Sequence, residues 1–194
     1  RFPDGYNPSY RDSGFDDNDL KDVREMWWYK LLEDYKMNLL VNCSYSGSTV
    51  CNTGYNGADA TATSFITRMK TWIGEQRKTD PKPDIIFVFG GTNDSWADSP
   101  IGELKYSSWT TNDLNSFLPA YCYMLYYLKK WNPGATIICI TNTGLKPAIS
   151  SGIEAACQHY GLLNIKPTSL AKLSGHPSIA GMEQIKNAIE DVLK

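Results

Sequence analysis

Three polar segments of the sequence contain residues that could act together on a carbonyl group. Gly47 lies within NCSYSGST, Asn93 within GGTNDS and His176 within SGHPSIAGM. A glycine N–H and an asparagine carboxamide can both donate to one developing oxyanion, and one such donor lowers the barrier by roughly 3 kcal/mol. A histidine can act as general base towards a serine hydroxyl. Each residue alone has a simpler explanation, as a turn glycine, a turn or cap asparagine and a helix-entry histidine. The three together favour acyl-transfer chemistry.

Helical and strand patterns alternate along the chain, separated by segments rich in Gly, Pro, Asn and Asp. They predict helices at 19–35 (capped by Asp19), 62–77, 112–131, 147–160 and 178–193, and strands at 38–44, 85–89, 136–141 and 162–165. Residues 1–18 read as an irregular segment, and Gly161 as a helix C-cap. The alternation predicts an α/β protein, a three-layer α/β/α sandwich with a parallel sheet.

The polar segments occupy similar places in this predicted architecture. The loops at 42–57, 90–102 and 172–178 each come after a predicted strand. Functional groups of parallel sheets gather beyond the carboxyl ends of the strands. We therefore expect the three loops to share one edge of the sheet.

Composition narrows the classes of function. The chain of 194 residues suits one domain, and its net charge of −2 gives no sign of a nucleic-acid partner. No run of residues reaches transmembrane length. The five cysteines form no CxxC and there are only two histidines, so we expect no metal site. The cysteines are expected to be buried thiols, with a Cys43–Cys51 pair as the alternative.

These motifs resemble those of the SGNH (GDSL-type) hydrolases, serine esterases and lipases on a flavodoxin-like α/β/α fold. NCSYSGST is similar to the second block of the family, with Gly47, and GGTND to the third, with Asn93. SGHPSIAGM is similar to the last block, with His176. Met26-Trp27-Trp28 and TNDSWADSPIGE look most like a bacterial branch of acyl-sugar and polysaccharide esterases. The resemblance extends over the whole chain.

The resemblance implies an esterase that needs no metal or organic cofactor. Gly47 and Asn93 would form the oxyanion hole, and His176 would be the general base. The substrate would be a small-molecule or glycan ester, with an O-acetylated sugar as one candidate. Esterases of this family are often exported. Neither the oligomeric state nor the acyl and alcohol groups can be read from the sequence.

Two departures from the family pattern affect these expectations. The GDS block with the nucleophilic serine does not occur in the sequence. We therefore expect a single hydrolase domain at 1–194 that is incomplete at its N-terminus, lacks the first central strand and is inactive by itself. The last block lacks its carboxylate, because Leu173 stands three residues before His176. A backbone carbonyl could orient the histidine instead, and Asp94 or Asp98 are the other candidates.

Other readings remain open at this stage. Ser44, Ser46 and Ser48 flank Gly47, although no G-x-S-x-G elbow would expose one as a nucleophile. A catalytically silent carbohydrate-binding module or pseudoenzyme on the same fold is the main alternative. The candidate substrate contacts are Tyr45, Tyr55, Trp96 and Asp94, with Trp109 as a further ring for stacking on a glycan. A flavodoxin-like nucleotide protein is disfavoured, since no Gly-rich phosphate loop opens a helix.

Overall fold

The computed structural model describes residues 18–77 and 80–193. The described chain forms two compact units, a larger one at Gly47–Ile165 and a smaller one made of the described parts of 1–46 and 166–194. The irregular segment predicted at 1–18 lies, except for Asn18, outside the described residues.

The larger unit is built around a parallel sheet of three strands. β1 (Ile85–Val88), β2 (Thr136–Ile140) and β3 (Leu163–Ile165) lie in the order β1-β2-β3. Ile85 pairs with Thr136, and Ile138 pairs with Leu163. The α/β class and the parallel sheet are thus confirmed, and three of the predicted strands are present with boundaries shifted by one residue or less.

Helices pack on one face of this sheet. The larger unit contains α2 (Phe65–Trp72), α3 (Thr92–Trp96), α4 (Phe117–Trp131) and α5 (Pro147–Tyr160). The core joins side chains of α2, α4 and α5 to the strand residues Ile86, Val88, Ile137 and Cys139. Ile138 and Ile140 point to the other face and are also fully buried. Burial on both faces explains why β2 is apolar from Ile137 to Ile140.

Local signals set the helix boundaries. Pro147 begins α5, and Gly161 ends it in the left-handed conformation with φ of 63°, as predicted. The helix predicted at 112–131 is divided into a 3₁₀ turn at Asp113–Asn115 and α4. Similarly, the one predicted at 62–77 is α2 followed by a 3₁₀ turn at Glu75–Arg77.

The smaller unit contains α1 (Trp27–Asp34), a hairpin of β4 (Lys172–Leu173) and β5 (His176–Pro177), and α6 (Ile179–Leu193). The two helices pack together through buried apolar residues, among them Leu31, Ile185 and Ile189. An ion pair of 2.8 Å joins Lys186 to Asp34 across this contact.

Two predictions in the smaller unit are wrong. Residues 38–44 form no strand, no described residue pairs with them in a ladder, and Leu39 and Leu40 are 49% and 46% exposed. A short apolar run cannot by itself specify a strand, because a strand also needs a hydrogen-bonding neighbour. Asp19 does not cap α1; Asp22 instead forms a capping box with Glu25 on the 3₁₀ turn Val23–Glu25.

Candidate active site

The GGTND segment turns the chain sharply from β1 into α3. A side chain on Gly90 would place its Cβ 2.7 Å from Cε2 of Phe65. Gly91 adopts φ of 100°, a left-handed conformation that disfavours side chains, and it is the N-cap of α3. Both glycines are therefore needed for α3, with its polar residues, to begin directly after β1.

Asn93 and Asp94 point in different directions from this helix. The Asp94 side chain has 0% exposure, and its carboxylate accepts from the Val50 N–H at 2.9 and 3.0 Å and from the Cys51 N–H at 3.1 Å. Burial raises the pKa of the Asp94 carboxyl, and these backbone hydrogen bonds oppose that rise. Asp94 thus holds the segment at 48–51. The expectation that it contacts substrate is wrong, because a carboxylate without exposed surface cannot reach one.

The Asn93 carboxamide is held at both ends. Its Nδ2 donates to the Ser48 carbonyl at 2.9 Å, and its Oδ1 accepts from the Tyr55 hydroxyl at 2.9 Å. Nδ2 carries two hydrogens. The second hydrogen has no acceptor among the described residues.

Gly47 immediately precedes the carbonyl that Asn93 holds. It is exposed, with φ of 73°, and its N–H donates to no described residue. The bond from Asn93 to Ser48 holds the carboxamide beside the segment that contains Gly47, and each residue keeps an N–H without an acceptor among the described residues. An oxyanion hole would need two such donors directed at one oxygen.

The serines beside these donors have structural partners. The Ser48 hydroxyl is buried, donates to the Thr63 carbonyl at 2.6 Å and accepts from Nη2 of Arg68 at 2.8 Å. Ser95 accepts from the Lys146 N–H at 3.0 Å, which ties α3 to the start of α5. These hydrogen bonds give both hydroxyls a role in packing. Ser44 and Ser46 are exposed in the smaller unit.

His176 lies in the smaller unit, directly after a two-residue hairpin turn. Ser174 and Gly175 both have positive φ, 47° and 80°, as primed hairpin turns require. Leu173 pairs directly with His176 across the hairpin, so an apolar residue occupies the position of the family's carboxylate. Burial, and then the positive charge of Lys172, lower the pKa of His176. The imidazole is therefore biased towards its neutral form, the form a general base needs.

The hairpin is anchored to neighbouring parts of the smaller unit. The Ala171 carbonyl accepts from the Ser178 N–H at 3.0 Å, and the Pro177 carbonyl accepts from Nδ2 of Asn18 at 3.2 Å. Asp19 accepts from the Ile179 N–H at 2.8 Å, so it caps α6. These contacts fix the backbone on both sides of His176.

The predicted aromatic contacts differ in exposure. Tyr55 and Trp96 of the larger unit are 43% and 44% exposed, and Tyr45 of the smaller unit is 45% exposed. Trp109 instead packs against Tyr123 and Tyr126, and its Nε1 donates to the Lys105 carbonyl at 2.8 Å. Trp109 is therefore a packing residue, whereas the other three side chains are among the exposed large aromatic residues.

Sequence reasoning missed two features of the site. The role of the Tyr55 hydroxyl had no sequence signal, because 38 residues separate it from Asn93. The hairpin before His176 did have a sequence signal. Ser174-Gly175 stands between two short segments, and Ser-Gly is compatible with a type I′ or II′ hairpin turn. Within the described ranges 18–77 and 80–193, no three His, Cys, Asp or Glu residues cluster as metal ligands, and no helix is long and apolar enough to span a membrane.

The larger unit is an α/β protein with a parallel sheet, and the polar GGTND segment follows its first strand. Residues 1–193 match the family described as GDSL-like Lipase/Acylhydrolase, and the chain belongs to that family. A comparison with curated proteins found no match.

Solved structures agree with this assignment. The chain is 43% identical to a putative GDSL-like lipase from Bacteroides ovatus ATCC 8483, with a TM-score of 0.84 over 91% of this chain and 81% of that one. It is 44% identical to a putative GDSL-like lipase from Bacteroides uniformis ATCC 8492, with a TM-score of 0.83 over 91% and 79%. A family two carbohydrate esterase from Clostridium thermocellum, solved with cellohexaose, is 15% identical, with a TM-score of 0.54 over 89% and 55%. This last likeness concerns the fold alone.

Proposed function

We propose that the protein hydrolyses carboxylic esters through an acyl-enzyme. The observation that carries the proposal is the Asn93 carboxamide, fixed by the Ser48 carbonyl next to Gly47, whose N–H donates to no residue in the described ranges. Membership of the GDSL-like lipase and acylhydrolase family supports a general esterase activity.

The proposed reaction has two acyl-transfer steps. A serine hydroxyl attacks the acyl carbon while His176 accepts its proton, and the carbonyl oxygen becomes an oxyanion held by Gly47 and Asn93. Collapse breaks the ester bond, and His176 returns the proton to the leaving alcohol. Water then attacks the acyl-enzyme by the same route and releases the carboxylic acid.

The nucleophile is assigned through the resemblance to the family. The sequence of 194 residues contains no GDS, and Ser48 and Ser95 have structural partners. In the family pattern, this role belongs to the serine of the GDS block. His176 works in this scheme without a carboxylate three residues before it, since the third member of a triad mainly fixes the tautomer and stabilises the imidazolium.

We propose an acetylated carbohydrate as the substrate class. The exposed rings of Tyr55 and Trp96 belong to the same unit as the oxyanion donors, and rings of this kind stack on the apolar faces of sugars. The ester cleaved would then be an O-acetyl group.

The first test is hydrolysis of p-nitrophenyl acetate by the protein expressed from its complete gene. We expect Asn93→Ala to lower kcat by about 100- to 1,000-fold, the range measured for loss of an oxyanion donor. His176→Ala should lower kcat by at least about 100-fold, because general base catalysis is lost. Tyr126→Phe, at a partly exposed position with no role in the proposed reaction, is the control and should retain activity. Unchanged rates in both site variants would show the mechanism to be wrong.

A catalytically silent glycan-binding module is the second candidate, favoured by the missing GDS and the exposed rings. The discriminating measurement is calorimetric titration with acetylated xylo-oligosaccharides, combined with detection of released acetate. Binding without acetate release, weakened by Trp96→Ala, would favour the binding module. Release of acetate would favour the enzyme.

A further inference from the structure

The Tyr55 hydroxyl makes a contact to which the proposed reaction gives no role. It donates to Oδ1 of Asn93 at 2.9 Å, although its ring is 43% exposed. An exposed tyrosine has little need for a fixed partner in order to fold. The contact therefore suggests a function connected with the Asn93 carboxamide.

The two partners of the carboxamide determine which way it faces. The Ser48 carbonyl can only accept, so it requires the Nδ2 edge of Asn93. The Tyr55 hydroxyl must then donate to the remaining Oδ1. A 180° flip would place Oδ1 against the Ser48 carbonyl oxygen, although the Tyr55 hydroxyl could then accept from Nδ2. The Ser48 carbonyl therefore decides which edge of the carboxamide faces it, and the Tyr55 hydroxyl provides the second point that fixes the plane. Together, the two contacts hold the carboxamide plane and leave one Nδ2 hydrogen available.

The backbone around Tyr55 forms a small closed loop. The Gly54 N–H donates to the Ala58 carbonyl at 2.8 Å, and Thr53 and Asp59 form an antiparallel bridge. Asn56 and Gly57 turn the chain with positive φ of 57° and 73°. These contacts fix the backbone that carries Tyr55 without using its hydroxyl. Substitution of that hydroxyl should not disturb its backbone.

We propose that Tyr55 is a positioning residue for the oxyanion donor Asn93. Its hydroxyl holds the carboxamide in the orientation that directs the free Nδ2 hydrogen towards the developing oxyanion. This inference rests on the proposed function, since it assigns Tyr55 a part in the same oxyanion hole. It differs from the expected sugar contact, which would use the ring face of Tyr55 and not its hydroxyl.

The protonation state of the phenol agrees with a donor role. Burial, and then the neighbouring Asp94 charge, raise the pKa of Tyr55 above its usual value near 10. The hydroxyl therefore stays protonated throughout the pH range of an esterase assay.

The test is a double-mutant cycle on p-nitrophenyl acetate hydrolysis by the protein from the complete gene. Tyr55→Phe keeps the ring and should lower kcat by roughly 3- to 10-fold, the range that one neutral hydrogen bond supports, with KM unchanged. In an Asn93→Ala background, the same substitution should change kcat by less than about 2-fold, since Tyr55 acts through Asn93. The inhibition constant of phenylboronic acid, whose serine adduct is tetrahedral and anionic, should rise in parallel with the loss of kcat.

Tyr126→Phe is the matched control, because Tyr126 is 39% exposed in the same unit and packs against Trp109. It should leave kcat and KM unchanged. Full activity of Tyr55→Phe would overturn the inference while the proposed function stands. An equal loss in both backgrounds would also overturn it, since Tyr55 would then act on substrate directly. If Asn93→Ala itself keeps full activity, both the proposed function and this inference fail.

A second measurement needs no turnover. The side-chain NH₂ resonances of Asn93, assigned with Asn93→Asp, should shift in ¹H–¹⁵N spectra of Tyr55→Phe and remain in place in Tyr126→Phe. Backbone resonances away from 53–59 should be unchanged, which would exclude misfolding as the cause. An unshifted Asn93 side chain would overturn the inference.

Discussion

At the residue scale, Asn93 and Asp94 show how neighbouring polar side chains acquire different roles. Successive residues of a helix are rotated by roughly 100°, so the two cannot face the same environment. Asp94 turns into the protein and holds the Val50 and Cys51 N–H groups. Asn93 remains at the surface with a spare donor. In the proposed reaction, Asp94 supports the segment at 48–51, and Asn93 is bound to Ser48 of that segment.

His176 gives a prediction about pH at the same scale. Burial, and then the charge of Lys172, lower the pKa of His176, and only the neutral imidazole acts as a base. Activity is therefore lost as pH falls through that pKa. Lys172→Gln removes the repelling charge and should raise the pKa, so the acid limb of the kcat/KM profile moves to higher pH.

Lys36→Gln, an exposed position in the same unit, is the control for this experiment and should leave the profile in place. Profiles should be compared at constant ionic strength, because screening weakens such charge effects. The prediction would be contradicted if the acid limb of the kcat/KM profile in Lys172→Gln were unchanged or moved to lower pH.

At the element scale, the turn from β1 into α3 depends on two different properties of glycine. Gly90 is close to Phe65 and Val50, where a Cβ would collide, whereas Gly91 needs a left-handed backbone. Asn142 and Lys146 then hold α3 from the side, through Thr92 and Ser95. The short helix is thus fixed by contacts with other elements, since five residues are too few for a stable helix alone.

Asp94→Asn tests how this element is anchored. An amide offers one acceptor oxygen and directs an NH₂ group at backbone N–H donors, so a buried donor loses its partner. We expect a loss of roughly 1–3 kcal/mol in the free energy of unfolding, measured by urea denaturation. Asp98→Asn is the control, because Asp98 forms an exposed ion pair with Lys146 and should lose less than about 1 kcal/mol. Equal stability of the two variants would show that the Asp94 hydrogen bonds contribute little.

At the scale of the whole molecule, the cysteines differ in their exposure to solvent. All five are free thiols in the structure, so the structure contains no Cys43–Cys51 pair. Cys51, Cys122, Cys139 and Cys157 are buried, whereas Cys43 is partly exposed. Burial raises the pKa of Cys51 to about 12 and that of Cys122 to about 11, which suppresses the reactive thiolate.

Thiol labelling of the native protein should therefore modify Cys43 first. With Ellman's reagent at neutral pH, the four buried thiols should react only on the timescale of unfolding, and all five should react in guanidinium chloride. Labelled positions can be read by mass spectrometry of peptides. Rapid native labelling of Cys139 or Cys157 would contradict the buried core. Failure of both Cys43 and Cys51 to react after unfolding would reveal the alternative disulfide.

The sequence by itself determined most of the larger unit. Helical spacing, short apolar runs and the Pro147 and Gly161 signals are local properties, and they predicted the parallel sheet and the bounds of α5. The residue types in the three polar segments indicated Gly47, Asn93 and His176 as candidate site residues.

Only the tertiary structure decided which atoms these residues contact. The bonds of Asn93 to Ser48 and Tyr55 join positions 45 and 38 residues apart, and those of Asp94 to Val50 and Cys51 span 44 and 43. The same is true of residues 38–44, which lack a pairing neighbour in the described structure and form no strand. Periodicity specifies the conformation of a segment because it reflects local burial. Hydrogen-bond partners and strand pairing depend on packing between distant segments, which no local pattern contains.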